Sequence, residues 1–445
     1  MHWLATTLSA TLVVFGSAYA EPESKVVARQ TTPLPFPASC SGVTARTNYK
    51  LSVADGWKYT LIASGLSTPR SVLFDTEGHL LVLQAGLGLT AHSIGADGCI
   101  SSSKTLIENK QLNHGLALSP DGKTVYVSAS PTAWSYTYDP VALTATNQKV
   151  VVKGMNPGGH SSRTLAVPPN NPNLLIVSLG SNDNIDMLSA QKETGRAIVK
   201  VFDLSKTPSG GWTYNSQGWY LGYGLRNEIA IVFDGNNMVW GIENSGDQLT
   251  RAVTGSRSID VHIDNPAEEL NYLGDPSQSN EQWYGYPTCW TVGDPGAIAD
   301  RTFQIGQQFM VTPNATFNDE TCAQKSVPPR LSMRAHSAPI DGKFDRDYRN
   351  LYVSLHGSWN RQPATGYKVI QIPFTQLASG AYDPVAPADS PFTKGYSDIL
   401  WTQNEGGCAS NTCLRPTGIT WHPDGSRMYI ASDGSVGELY ILYKA

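Results

Sequence analysis

The chain has 445 residues, of which 40% are hydrophobic and 16% charged, and its formal net charge is −5. This composition indicates a globular protein, because disordered chains have fewer apolar residues and longer charged runs. An acidic balance without a Lys/Arg cluster argues against a nucleic-acid-binding surface. Glycine and proline number 41 and 28, above their usual share, so many turns and few long helices are expected.

The N-terminus is typical of a secretory signal peptide. Residues 8–18 are apolar over about the length of a signal-peptide core, and Ala18-Tyr19-Ala20 has the small-x-small pattern of a cleavage site. The segment departs from the usual pattern in having no Lys or Arg before its apolar core, only His2. We therefore predict a signal peptide over residues 1–20, a linker over 21–45 and a secreted, extracellular protein that does not span a membrane.

Six cysteines fit an oxidising compartment, although their sequence positions allow many pairings. The pairs that we favour, starting from the two cysteines that share one short loop, are Cys408–Cys413, Cys289–Cys322 and Cys40–Cys99. A metal site is the weaker interpretation, because no Cys-x-x-Cys spacing or nearby histidine accompanies these cysteines. Asn314-Ala315-Thr316 is a glycosylation sequon and predicts an exposed loop in a glycoprotein.

One unit recurs along the chain: a polar residue, a short apolar strand, a turn rich in Asp, Asn, Gly and Pro, and a second apolar strand. In chain order the copies cover residues 70–83, 114–127, 163–179, 226–242, 336–355 and 415–431. Strand pairs this short cannot bury a face alone, but three- or four-stranded units stacked around an axis form a β-propeller. We predict an all-β, six-bladed β-propeller over residues 46–445. A two-sheet β-sandwich is the alternative, although it rarely needs so long a chain.

The remaining segments are assigned by their place between the copies. Residues 212–224 and 274–328 are expected to be long loop insertions, which are usually functional or held by cross-links. The short strand at residues 57–63 is expected to pair with residues 438–443 and so close the ring of blades.

The first residue of each copy is expected at one mouth of the central channel, where the innermost strands begin. These residues are Arg70, His114, Arg163, Arg226, His336 and Arg415, with His160, Asn227, His356 and Asp433 close to them in sequence. They either pair with water, carbonyl groups and Glu228, Glu243, Glu268 or Glu269, or bind an anionic guest together. Converging cations favour the guest, and arginine suits carboxylates or phosphates. Because phosphate-binding Gly-rich motifs and a Gly-x-Ser-x-Gly elbow are missing, a small polyanion is expected rather than a nucleotide or a serine-hydrolase substrate.

Six motifs in this order resemble those of the soluble quinoprotein glucose/sorbosone dehydrogenases, and most closely the fungal pyrroloquinoline quinone (PQQ)-dependent pyranose dehydrogenases. They are Gly159-His160-Ser161-Ser162-Arg163, Gly224-Leu225-Arg226-Asn227-Glu228, Glu268-Glu269-Leu270-Asn271, Trp283-Tyr284-Gly285-Tyr286-Pro287, His356-Gly357-Ser358-Trp359-Asn360-Arg361 and Leu414-Arg415-Pro416-Thr417-Gly418. The resemblance spans about residues 50–443. It implies a six-bladed propeller that binds PQQ, a tricarboxylate, and Ca²⁺ at the axial mouth.

The resemblance also implies roles for single residues. His160 would be the general base for the anomeric hydroxyl, and Arg226 with Asn227 would contact the quinone oxygens, with Arg226 also catalytic. Arg415 would bind a cofactor carboxylate. Further cofactor-binding candidates, matched more loosely, are Arg70, His114, Asn182, His336, His356 and Trp359. Calcium would be held by Gly285, Tyr286 and Pro287, and Asp247, Glu268 and Glu269 are candidates for a second calcium.

Three departures from the bacterial glucose enzymes affect the expected substrate. His356 stands about where those enzymes have a lysine, Thr417 about where they have a second arginine, and Gly159 in place of a carboxylate that contacts sugar. These differences point to the fungal branch and away from plain glucose.

The resulting hypothesis is a dehydrogenase that oxidises C1 of pyranoses or keto-aldoses and passes electrons to an external acceptor, a copper polysaccharide oxygenase or a cytochrome. We expect it to act as a monomer. The alternatives are a Ca²⁺-dependent lactonase or related hydrolase on the same propeller, and a propeller that binds a ligand without catalysis.

Overall fold

The computed structural model describes residues 40–444, apart from 157, 254–256 and 410–411. Strands dominate this part of the chain and form six sheets around one axis, which confirms the predicted β-propeller. The innermost strands of successive blades contact each other, and the last contacts the first. The predicted signal peptide, and the linker up to residue 39, lie outside the described residues.

The first three blades are numbered in chain order, and their strands run from the axis outward. Blade 1 contains Pro69–Phe74, His79–Gln84, Gly88–Ile94 and Ile100–Glu108. Blade 2 contains Leu116–Leu118, Thr124–Ser128, Thr132–Asp139, Thr144–Lys153 and Trp212–Thr213. Blade 3 contains Leu165–Ala166, Leu174–Leu179, Ile198–Asp203, Trp219–Tyr223 and Asn280–Trp283.

The other three blades follow the same order. Blade 4 contains Glu228–Phe233, Val239–Glu243, Glu268–Gly274 and Leu331–Met333. Blade 5 contains Pro339–Phe344, Asn350–Leu355, Lys368–Gln376, Ser397–Thr402 and Leu51–Val53, with Tyr382–Pro384 paired to its third strand. Blade 6 contains Pro416–Trp421, Arg427–Ser432, Glu438–Lys444 and Trp57–Ser64.

Short elements complete the described part of the chain. The two-stranded hairpins pair Thr250–Val253 with Arg257–Asp260, and Cys289–Thr291 with Gln308–Met310. The α-helices are Asp319–Lys325 and Phe392–Gly395, and the 3-10 helices are Met187–Ala190, Lys192–Thr194, Leu204–Lys206, Pro295–Ala297 and Glu405–Gly407. Across these described ranges, no helix is long and apolar enough to cross a membrane.

The ring closes as the sequence predicts. Trp57–Ser64 pairs antiparallel with Glu438–Lys444, so an N-terminal strand completes the last blade. Blade 6 therefore combines strands from both ends of the described chain, and this pairing closes the ring of blades. The favoured cysteine pairs are also all present as disulfides.

The repeated turns hold the first two strands of a blade together through aspartate side chains. Asp75 Oδ1 accepts backbone N–H groups of Glu77 and His79, and Asp234 Oδ1 accepts those of Asn236 and Met238. An aspartate that bonds the backbone a few residues later favours a tight turn. Because these turns follow the innermost strands, the starts of those strands lie on the opposite face, together with the loops between the second and third strands.

One predicted insertion is wrong and the other is correct in part. Residues 212–224 supply the outer strand of blade 2 and a regular strand of blade 3, because their apolar and aromatic residues pack against Phe202 and the blade 3 core. Residues 274–328 do form an excursion, which holds a hairpin, a helix and one disulfide. Arg251 fastens it by donating to Asp300 and Asp319.

Candidate active site

Arg226 lies just before the innermost strand of blade 4 and is held by four neighbours. Its Nη2 donates to Oδ1 of Asn184 at 2.9 Å and to Oδ2 of Asp247 at 3.1 Å, and its Nη1 donates to the carbonyls of Asn244 and Ser245. Asn184 belongs to the loop after the second strand of blade 3, and Asp247 to the same loop of blade 4. Two blades therefore fix one guanidinium group at the mouth.

Asp247 joins this group to the opening of blade 5. Asn360 donates to its Oδ1 at 2.9 Å, and Nδ1 of His336 lies 3.6 Å from the same oxygen. Burial alone would raise the pKa of Asp247, but His336 and Arg226 lower it below the usual value. Asp247 is therefore the ionised centre of an ion-pair network. Its carboxylate, a candidate ligand of a second calcium in the sequence analysis, is engaged by Arg226, Asn360 and His336.

A second carboxylate, Asp433, organises the other side of the mouth. Arg70 donates to its Oδ2 at 2.6 Å, and Nε2 of His356 lies 2.5 Å from its Oδ1. Arg415 donates to Nδ1 of His356 at 2.8 Å, so the His356 ring is neutral with its proton on Nε2. Burial lowers the pKa of His356 to about 4, while His356 and Arg70 hold the pKa of Asp433 far below its usual range.

His160 presents one ring nitrogen for proton transfer. Its Nδ1 lies 3.0 Å from both the carbonyl and the hydroxyl oxygen of Ser181, so Nδ1 carries the proton and donates it there. Nε2 is then the basic nitrogen, and within the described residues no hydrogen bond occupies it. Burial, aided by Arg226, lowers the pKa of His160 to about 4, which keeps the ring neutral and able to accept a proton near pH 7.

The remaining cofactor candidates are placed differently from one another. Asn182 lies beside the His160 turn and accepts from Asn156 at 3.4 Å, and Asn227 is buried next to Arg226. Trp359 is 66% exposed at the edge of the mouth. His114 lines the inner end of an axial cavity of about 530 Å³ that runs toward the face of the repeated turns, and its Nδ1 has no partner among the described residues.

Arg163 does not reach the mouth, although it is the first residue of a repeated unit and was expected there. It is 0% exposed and donates to the backbone carbonyls of Ser130, His160, Ser162 and Asn156. Its role is to hold the turn that carries His160. The glutamates that might have paired with the opening arginines are not used in that way either, since Glu243 accepts the backbone N–H of Arg226 rather than its guanidinium group.

The segment Gly285-Tyr286-Pro287 is buried directly behind Arg226. The carbonyl of Gly285 accepts from Thr288 and Cys289, and that of Tyr286 accepts from the Trp283 indole. In the described residues no group of three or more His, Cys, Asp and Glu side chains is arranged to hold a metal. The calcium assignment for this segment stays a prediction, which the internal hydrogen bonds of its carbonyls do not favour.

The mouth has the charge and the open polar atoms that an anionic guest requires. Three guanidinium groups, those of Arg70, Arg226 and Arg415, stand against the two carboxylates of Asp247 and Asp433. Nη1 of Arg415 and Oδ1 of Asn360 are buried and have no hydrogen-bond partner among the described residues. Buried polar atoms are usually satisfied, so the unpartnered Nη1 donor of Arg415, beside surplus positive charge, indicates a ligand with acceptor groups, while Oδ1 of Asn360 can accept from a donor. PQQ, a flat tricarboxylate, fits this arrangement.

Comparison with known proteins agrees with the motifs and the fold. Residues 51–445 match the family described as TrAA12-like. The chain belongs to this family. A PQQ-dependent pyranose dehydrogenase of Coprinopsis cinerea is 41% identical over 91% of the chain and 56% of the relative, and a PQQ-dependent sugar dehydrogenase of Hypocrea jecorina is 34% identical over 92% of the chain and 94% of the relative. The chain thus spans about half the length of the Coprinopsis relative.

Solved structures of related proteins have the same fold as this chain. The holo form of the PQQ domain of a Coprinopsis cinerea pyranose dehydrogenase has a TM-score of 0.88 at 40% identity, and covers 91% of this chain and 100% of its own. A calcium structure of a Trichoderma reesei family AA12 protein has a TM-score of 0.83 at 33% identity, with 91% and 100% coverage. The PQQ-bound aldose sugar dehydrogenase of Streptomyces coelicolor, at 16% identity and a TM-score of 0.54, shares the fold alone.

Sequence reasoning missed two asparagines of this TrAA12-like site. Asn184 and Asn360 both hold Asp247, and neither opens a repeated unit. Their positions in the sequence could have indicated them. Each lies in a loop between the second and third strands of a blade, and these loops lie at the same mouth as the first residues of the repeated units. Gly159 is also explained locally, because a Cβ at its φ of 60° would lie 2.3 Å from the backbone of Asn182.

Proposed function

We propose that this protein is an oxidoreductase that uses PQQ and Ca²⁺ to oxidise the hemiacetal carbon, C1, of a pyranose or keto-aldose. The observation that carries the proposal is the convergence of Arg70, Arg226 and Arg415 beside the basic Nε2 of His160 in one mouth. Its support comes also from TrAA12-like relatives that are named as PQQ-dependent sugar dehydrogenases.

The residues at the mouth divide between binding and proton transfer. Arg415 and Arg70 are the groups that would hold carboxylates of PQQ, and Arg226 with Asn227 would face its quinone oxygens. When bound, PQQ supplies the electrophilic quinone that accepts a hydride from sugar C1. Arg226 contributes a fixed positive charge that needs no reorganisation, because five protein oxygens already accept its N–H groups.

His160 is the general base of the proposed reaction. It accepts the proton of the C1 hydroxyl on Nε2, while the bond from Nδ1 to Ser181 fixes the ring orientation and the tautomer. Because its pKa is about 4, the ring stays in the accepting form across the neutral and mildly acidic range. The resulting positive charge would lie close to Asp247, whose charge favours the protonated ring.

Secretion and the electron acceptor belong to the proposal as well. Three disulfides suit a protein that folds in an oxidising compartment, as does the N-terminal sequence. Ca²⁺ is supported by the calcium structure of the Trichoderma reesei relative. We propose an external electron acceptor, either a copper polysaccharide oxygenase or a cytochrome, and a monomeric enzyme.

The test is reconstitution of purified protein freed of cofactor. Titration with PQQ and Ca²⁺, followed by absorbance, should saturate at one PQQ per chain and create sugar-dependent dye reduction. His160→Ala should lower the rate about 100- to 10 000-fold with PQQ binding retained, because only proton transfer is removed. His79→Ala, at the start of the second strand of blade 1 on the opposite face, is the matched control and should leave the rate unchanged. Absence of PQQ binding at micromolar concentration, or hydrolysis of lactones without quinone, would contradict the proposal.

A further inference from the structure

Glu268 connects two loops that carry the site. Its side chain is buried, with the residue 3% exposed, and both oxygens accept from backbone N–H groups. Oε2 accepts from Ser245 at 2.7 Å, and Oε1 accepts from Ala338 at 3.0 Å. Ser245 lies in the loop after the second strand of blade 4, and Ala338 lies just before the innermost strand of blade 5. One carboxylate therefore joins two blades.

Each of these loops holds a charged group of the mouth. The carbonyl of Ser245 accepts from Arg226, and Asp247, two residues further on, pairs with the same guanidinium group. Ala338 follows His336 by two residues, and His336 lies 3.6 Å from Asp247. A shift of either loop would therefore move Arg226, Asp247 and His336 relative to one another.

The backbone that Glu268 holds in blade 5 is unusual. His336 and Ala338 have φ values of 64° and 53°, in the left-handed region that residues with a side chain rarely adopt. Such conformations persist only where surrounding bonds determine them. The bond from Ala338 N–H to Glu268, and the bond from Gly357 N–H to the carbonyl of Ser337, supply that restraint.

Burial raises the pKa of Glu268 to about 6, and its two N–H donors and His336 oppose that rise. Burial alone would lower the pKa of His336, but Asp247 and Glu268 raise it above its usual value. Arg226, Asp247, His336 and Glu268 then form a row of alternating charges that runs from the mouth into blade 4. A buried carboxylate is tolerated when it is hydrogen-bonded and lies near an opposite charge, and both conditions hold here.

We propose that Glu268 is a positioning residue: its carboxylate ties the Ser245 loop of blade 4 to the Ala338 segment of blade 5 and so holds Arg226 and His336 in the arrangement that receives the cofactor. The proposal rests on the proposed function for the identity of that cofactor. It replaces the expectation that Glu268 is a calcium ligand, because both of its oxygens are already engaged by N–H donors.

The variant Glu268→Gln tests this role, because an amide has only one accepting oxygen. One of the two N–H groups must then face an NH₂ group and lose its acceptor. We expect the dissociation constant of PQQ, measured by absorbance titration at pH 7, to rise about 10- to 100-fold, the loss that one buried charge-assisted hydrogen bond implies. Glu268→Asp keeps the charge but is shorter, so it should give an intermediate value.

Glu269→Gln is the matched control, since it removes a neighbouring buried carboxyl group of the same blade. Its oxygens contact Thr291 and Asn271, and neither belongs to the mouth. A purely structural role for both glutamates would alter the melting temperatures of both variants and the PQQ affinity of neither. Unchanged PQQ affinity in Glu268→Gln would overturn the proposal.

Hydrogen exchange of the protein without PQQ gives a second readout that is independent of the cofactor. The amides of Ser245 and Ala338 should exchange faster in Glu268→Gln than in the wild type, and at the wild-type rate in Glu269→Gln. Failure of the wild type to bind PQQ would end the proposed function, whereas equal exchange in all three proteins would end the role of Glu268. Glu268→Asp supplies the same exchange measurement if the glutamine variant does not fold.

Discussion

Two acidic regions of the molecule, the partly buried carboxylates of the mouth and the fully buried glutamates of blade 4, have pKa values that move in opposite directions. At the mouth, arginine and histidine side chains hold the pKa values of Asp247 and Asp433 below the usual value. In blade 4, burial raises those of four glutamates, to about 6 for Glu268 and about 7 for Glu269, and well above the usual value for Glu228 and Glu243. Burial opposes a charge in both places, and only a cation in contact reverses the outcome.

The blade 4 glutamates differ from the mouth in what surrounds them. Oxygens of Glu228, Glu243 and Glu269 lie 3.3–3.4 Å from Nδ2 of Asn271, and in the described part of the chain no arginine or lysine side chain donates to any of them. Mutual repulsion among carboxylates adds to the effect of burial, so these groups hold protons at pH values where the mouth carboxylates are charged. The mouth therefore presents charged side chains, whereas blade 4 buries carboxyl groups that keep their protons to higher pH.

The largest expected effect on stability comes from breaking the mouth network at its centre. Asp433→Asn removes the carboxylate that binds Arg70 and His356, and should lower the free energy of unfolding at pH 7 by about 3 kcal/mol, as for other buried pairs. Because the folded pKa is depressed, this contribution exists above the unfolded value of 3.8 and is lost as the pH falls below it. Urea unfolding at pH 7 and pH 3 measures the difference, and an equal loss at both pH values would contradict the charge network.

A smaller effect of opposite sign is expected in blade 4. Glu269 has a folded pKa of about 7, raised by burial from 4.5, so its contribution to stability is present below the unfolded value and is lost as the pH rises through about 7. Glu269→Gln should therefore raise the free energy of unfolding by about 2 kcal/mol at pH 8 and change it little at pH 4.5. Thermal unfolding across this range is the measurement. A variant that is destabilised at pH 8 would show that the carboxylate has a favourable partner.

The smallest effect is expected for an ion pair that solvent reaches. Arg330 binds Asp383 through two bonds of 2.6 Å, with a quarter of each side chain exposed. Arg330→Ala should cost no more than about 1 kcal/mol, and the loss should shrink in 0.5 M salt because solvent and ions screen the pair. Chemical unfolding at low and high salt checks this. A loss as large as that of Asp433→Asn would remove the distinction between buried and exposed pairs.

The fold could be predicted from the sequence because the features that indicate it involve residues only a few positions apart. Each repeated unit contains a turn such as Asp75–Gly78 or Asp234–Met238 in which an aspartate caps the backbone of the next few residues. The mistaken insertion at residues 212–224 has a matching cause. Its strands join blades 2 and 3 as outer strands. An outer strand lacks the initial polar residue and the tight turn that mark the two innermost strands of a blade.

The candidate site was readable only in part. The structure has His160, Arg226 and Arg415 at the mouth, because each lies a few residues before the innermost strand of its blade, and their roles in binding and catalysis stay predictions. The prediction was wrong for Arg163, whose guanidinium group turns into the protein and binds carbonyls. Nothing in the chain near Arg163 distinguishes it from Arg226, since the difference lies in which loop from another blade covers each of them.

The amino-acid sequence by itself determined the number of strand pairs, the turns that join them and the positive groups that open each pair, because these depend on residues only a few positions apart. The tertiary structure alone decided which carboxylate meets which cation. Arg70 and Asp433 lie at opposite ends of the chain and meet only because the ring closes between Trp57–Ser64 and Glu438–Lys444. Glu268 likewise joins two blades through N–H groups that no local pattern identifies. Ion pairs and backbone clamps depend on distances across the assembled ring, and those distances exist only after the blades have packed.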